Sequence, residues 1–228
     1  MRRIQNAIRI MQTFAKDANF IQYNHNSFYI VQHELIKSFS IHVSQYGFLH
    51  DVRFSVSPLG AENVLVGDES IPLSTFTAHD GGYIISKKNN SESTESLLKM
   101  IVEDTKLIAI PFFQRCLTIP AAINETLLLL QKTAYRREQI LWMPELYQLA
   151  KAGLDYELMY QCLMTRYKAN LREQEKNNNP TRQERIDEII CRQEQELYHI
   201  KMKDNDYFTL QVSENIKKNM IRLSGTEH

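Results

Sequence analysis

The sequence predicts an α+β protein: an N-terminal helix, an antiparallel sheet of four or five strands, then a mostly helical C-terminal half. Three observations lead there. Apolar residues recur at three- and four-residue spacing over 4–18, the period of one helix face. Between 20 and 58 the period drops to two, with aromatic and β-branched residues alternating with polar ones. From about residue 91 the helical period returns and holds almost to the end.

The opening helix places Ile4, Ala7, Ile8, Met11, Phe14, Ala15 and Ala18 on one face. The segment is basic, with no acid before Asp17, as organelle transit peptides are. Arg9 interrupts any apolar core that a secretory signal would need. Amphipathic helix formation accounts for the whole pattern.

A hairpin follows around Asn24–Ser27. Two further strands come from "SFSIHVSQYGFLHDVRFSVSP", residues 38–58. With Tyr46 facing Asp51 across "GFLH", Val43 meets Phe54 and Ile41 meets Val56 on one face. His42 then meets Ser55, and Ser44 meets Arg53, on the other. Residues 59–90 read as irregular, with a short strand expected at 83–87 after "HDGG".

Ser91 or Ser93 caps the next helix, whose stripe is Leu97, Leu98, Ile101, Val102, Thr105 and Ile108. A break is expected at Pro111, with helix resuming after Pro120. Gly153 reads as a left-handed stop between two helices, and Asp155 as the cap of the second. "NNNP" at 177–180 is the clearest boundary, followed by a capping box at Thr181–Glu184 and a charged helix over 180–202. "YFTLQV" at 207–212 alternates like a strand, and a last helix is expected after Ser213. Residues 1–134 thus read as a sheet domain, and 135–228 as a helical extension packed on it in one compact unit.

Charge and composition exclude several function classes. Lys+Arg and Asp+Glu both number 27, so the surplus of basic residues that nucleic-acid binding requires is missing. The densest apolar run, "TLLLLQ" at 126–131, is far short of the roughly 20 residues a membrane-spanning helix needs. Cys116, Cys162 and Cys191 are widely spaced and without CxxC, which reads as reduced thiols in a cytoplasmic protein that carries no metal. No phosphate-cradling glycine loop or nucleophile elbow is present, and no cofactor is implied. Trp142 reads as a joint residue, and His79–Gly82 as a turn.

One chemically capable set remains, on the polar face of the sheet: His42, Tyr46, Asp51 and Arg53, with His33 near them if strand order follows chain order. A His beside an acid and an Arg supports acid–base work or anion binding. The surrounding serines instead describe the wet side of an antiparallel sheet. An exposed face of this kind suits a protein partner, because Tyr and Arg anchor interfaces and a polar rim is normal there.

The element order can be compared with known families. An opening amphipathic helix, the "NF…FYIVQ" region, a ribbon ending "DVRFSVSP" and a helix with "IPFFQR" resemble an uncharacterised family of small bacterial α+β domains. That family includes immunity-type proteins of toxin systems, and the resemblance spans about residues 1–130. It implies a non-enzymatic protein-binding module that inhibits a protein partner. Two other functions fit the residues: a small hydrolase or transferase using His42, Asp51 and Arg53, and an assembly subunit using its long helices.

Overall fold

The computed structural model describes residues 2–43, 49–62, 71–77, 83, 91–133, 136–141 and 143–224. It has the α+β architecture expected. Helix α1 (Arg2–Asp17) is followed by β1 (Ile21–Asn24), β2 (Ser27–Gln32), β3 (Leu35–Val43), β4 (Leu49–Pro58) and β5 (Ile71–Pro72). The five strands form one antiparallel sheet in chain order. Asn24 Oδ1 accepts the Asn26 amide at 2.9 Å and sets the first hairpin turn. His33, in the left-handed region at φ 57°, sets the second.

The β3–β4 register differs from the expectation. Phe54 faces Phe39 and Asp51 faces His42, so each partner lies four residues from its expected place. Alternation fixes only the parity of a register, and a shift of four leaves every side chain on its own face. The assumed four-residue connection was the misleading part, since β3 stops at Val43 and β4 starts at Leu49. β5 comes from the stretch expected to be irregular and survives Pro72 by being a two-residue edge strand. Of the strand expected at 83–87, Tyr83 is not in a strand and 84–87 lie outside the described residues, as do His79–Gly82 and Trp142.

One face of the sheet carries the aromatic core. Phe28 stacks on Phe39 at 5.0 Å, and Phe54 meets Phe112 edge-on at 5.5 Å. Ile8, Met11 and Ala15 of α1 belong to the same core, which runs on without interruption to Phe208. Each fully buried Phe contributes about 1.5–3 kcal/mol.

The helical half runs through α2 (Ser91–Asp104), a π-helical turn (Thr105–Ala109), α3 (Ile110–Arg115), α4 (Ile119–Gln131), α5 (Arg137–Leu141) and α6 (Pro144–Ala152). It ends with α7 (Tyr156–Lys176), α8 (Pro180–Met202) and α9 (Asn205–Ser224). No break occurs at Pro111. The wider π turn directly before it carries the chain past the missing N–H and the ring.

Three further expectations are corrected. Gly153 has φ −87°, and the left-handed residue is Leu154 at 54°. A Cβ at 153 would lie 3.1 Å from Ile119 Cγ2, so glycine relieves crowding where the end of α6 meets α4. Asp155 does cap α7, accepting the Leu158 amide at 3.0 Å. The cap of α8 is Asn179 rather than Thr181, with Pro180 opening the helix. Residues 207–212 lie within α9, because Phe208, Val212, Asn219 and Leu223 share one helix face that six residues of alternation could not reveal.

Candidate functional site

The second face of the sheet is where the candidate residues fall, and it is not wet. Ser27, Ser38, Ser40, Ser55 and Ser57 are 2–7% exposed. Ser38 and Ser55 pair across the strands with oxygens 2.9 Å apart. At one end α9 lies over this face. Leu223 packs with Tyr29, Ile36 and Leu59, and the Tyr29 hydroxyl donates to the Leu223 carbonyl at 3.3 Å. Asn219 Nδ2 donates to the carbonyls of Leu59 and Ala61, both at 2.8 Å. A Cβ on Gly60 would lie 2.5 Å from Val212 Cγ1, so only glycine lets α9 approach this closely. The expectation of a solvated pleat fails at this end because α9 is helical throughout and packs on it.

At the other end His42 and Asp51 are cross-strand partners, and Arg53 lies on the same face opposite Ser40. His42 and Arg53 are half-buried and Asp51 is buried. Tyr46 lies outside the described residues. His33 sits exposed in the β2–β3 turn, at the far end of the sheet from this group. The Asp51 carboxylate accepts the Val52 amide at 2.7 Å, the Ser74 amide at 3.4 Å and the Ser74 hydroxyl. It therefore anchors the 3₁₀ turn Leu73–Phe76. A carboxylate engaged by two amides and a hydroxyl serves as a structural anchor of this turn. Nearby, the buried Tyr83 donates to Asp104 at 2.5 Å, and its phenol is pushed well above the ordinary range, by burial first and then by that bond.

A second polar group, missed in the sequence, lies inside the helical half. Glu196 of α8 accepts from the Tyr147 hydroxyl at 2.8 Å and from Lys151 Nζ at 3.2 Å. All three residues are buried. Burial, and next the Glu196 carboxylate, hold the Tyr147 phenol far above its usual value. The Arg166 guanidinium lies over the Tyr147 ring at 5.4 Å. The i, i+4 spacing of Tyr147 and Lys151 puts them on one helix face, a signal visible in the sequence.

The third arrangement is the α7–α8 hairpin. Buried residues of α7 end at Leu163. Beyond that point the seam is made of polar pairs. Tyr167 donates to Glu194 at 2.8 Å, Asn170 to Gln193 at 3.0 Å, Gln174 to Asp187 at 2.7 Å and Arg182 Nε to Glu173 at 2.9 Å. Ile186 and Ile190 are buried in this stretch but belong to neither hydrophobic core cluster. Met164 and Tyr167 still pack against the main core, so from Lys168 to Lys176 the hairpin extends about 13 Å beyond it, at 1.5 Å per residue. Its outer surface carries Lys168, Arg172, Glu175, Arg185 and Glu188.

Among the described residues, no group of three or more His, Cys, Asp or Glu side chains is placed to hold a metal ion. No described helix is long and apolar enough to cross a membrane. No protein-family model, curated protein or solved structure matches the chain.

Proposed function

We propose that this chain is a cytoplasmic, non-enzymatic protein-binding module, of the immunity-type inhibitor kind, that engages a protein partner with its α7–α8 arm. The observation that carries the reading is the arm's polar seam. Ordering a helical residue costs about 1–2 kcal/mol of backbone entropy. A helix normally offsets that cost by burying an apolar face. Beyond Tyr167 this arm offers two isoleucines and three cross-helix hydrogen-bonding pairs in place of a core. Each such bond contributes a net ~0.5–1.5 kcal/mol. The result is a stiff rod of mixed charge whose shape serves an external contact more than the stability of the fold. Interspersed charges of both signs give specificity toward a protein surface, whereas nucleic acid would select one sign.

The test is copurification from the native host with wild-type chain and with the charge-reversed variant Arg172→Glu/Arg185→Glu/Glu188→Lys. All three side chains are exposed, so the melting temperature should hold. The reading predicts a stoichiometric partner that wild type retains and the variant loses. Equal recovery by both, or no partner for wild type, counts against it.

A further inference from the structure

We infer that the trough between α1 and α2 is a docking groove for a short amphipathic helix of a protein partner that bears acidic residues. The trough holds about 630 Å³. α1 and the turn after it present two parallel stripes to the trough: apolar Ile10, Phe14 and Ala18, and polar Arg9, Thr13 and Asp17. Val102 of α2 and Lys106 of the π turn form the facing wall. Phe14, Ala18 and Val102 are half-buried and make the floor, while Ile10 is 37% exposed at its lip.

The length and chemistry of the trough select its occupant. From Arg9 to Asp17 the nine residues of α1 span about 12 Å at 1.5 Å rise, which is two turns of a docked helix with apolar anchors at i, i+4 and i+7. Each wall contributes a cation, Arg9 on one and Lys106 on the other, against the single acid Asp17. Lys106 also pairs with Glu103 at 3.1 Å, but both side chains are at least half exposed. Such a surface pair is worth only about 0–1 kcal/mol, so a partner carboxylate can replace it. The π turn that lets the helix continue through Pro111 also shapes the rim. Here it sets Lys106 on the rim beside Leu107, which is 71% exposed, while Thr105 stays buried and bonded to the Ile101 carbonyl at 2.7 Å.

No residue of α7 or α8 takes part, so this groove and the arm stand or fall separately. The test is an amide-shift titration of the full chain with a four-turn alanine-based helix carrying Leu at i, i+4 and i+7 and flanking Glu residues. Two control probes are the same helix with Lys for Glu, and decanoate. Saturable shifts should map to residues 9–18 and 102–107. Arg9→Glu/Lys106→Glu should weaken binding by about tenfold or more, as expected for loss of two charge pairs at an interface. Ile10→Ser should also weaken binding, with an unchanged melt that separates lost contact from lost fold. Equal affinity for the Lys-bearing helix, or no shifts in α1 and α2 at millimolar probe, overturns the inference. Decanoate binding in place of the helix also overturns it and makes the trough a site for small amphiphiles.

Discussion

Replacing Lys151 by Met leaves the Glu196 carboxylate buried with the Tyr147 hydroxyl as its remaining partner in the triad. Removing one member of a buried ion pair costs about 3–5 kcal/mol, because the survivor keeps its desolvation penalty without the attraction. Glu196→Gln should cost a similar amount by stranding the ammonium. Both figures are a large share of the roughly 5–15 kcal/mol that holds a domain together. The double variant Lys151→Met/Glu196→Gln removes both charges and leaves an amide oxygen for Tyr147. It should therefore be more stable than either single variant, with a coupling energy of about 2–3 kcal/mol. Urea melts of the four proteins read this directly, and each single variant should melt about 6–20 °C lower for a chain of this size. Additive losses would refute the reasoning, because they would show the two charges to be solvated independently.

Four other outcomes are expected. Lys37 is 2% exposed on the aromatic face of the sheet, and burial lowers its ammonium pKa, so Lys37→Met should be neutral or stabilise by about 1–2 kcal/mol in urea melts. Its partner Gln32 is exposed and is rehydrated rather than stranded. Asn219→Leu strands two carbonyls after β4 and should cost about 1–3 kcal/mol, whereas the exposed Lys218→Leu should change the melt little. Ser55→Asp, at 2% exposure, should destabilise by several kcal/mol through an unpaired buried charge; a neutral effect in melts would show the second face to be wet. Burial pushes the Cys116 and Cys162 thiols up to about 12, so iodoacetamide should label only the exposed Cys191 in the native state. The folded state then holds these protons more tightly than the unfolded one. Stability should be intact below the unfolded thiol value of about 8.5 and fall as pH climbs from there toward about 12.

Much of the fold was legible because its signals are local. The period change near residue 20 marks the sheet, the cap at Asp155 and the proline at 180 mark helix starts, and alternation assigned Phe39, Ile41, Val52, Phe54 and Val56 to one buried face. Register was not legible, since a shift of four preserves every facing. Part of the burial of the serine face was hidden for a non-local reason: the Tyr29, Ile36 and Leu59 end of the face is covered by α9, more than 150 residues away in the chain. Serine alternation looks the same under water or under a helix. The arm's seam was partly legible, because Gln193 interrupts the Ile186, Ile190, Leu197 stripe, yet its partner Asn170 carries no distinguishing pattern.

The central claim is that the distal α7–α8 hairpin is the surface a protein partner reads. Hydrogen–deuterium exchange of the chain, free and in complex with the protein that copurifies with it, tests this most directly. The account predicts that amides within 164–192 gain protection in the complex while β2, β3 and β4 keep their free-state rates. Protection confined to other segments, with 164–192 unchanged, would contradict it.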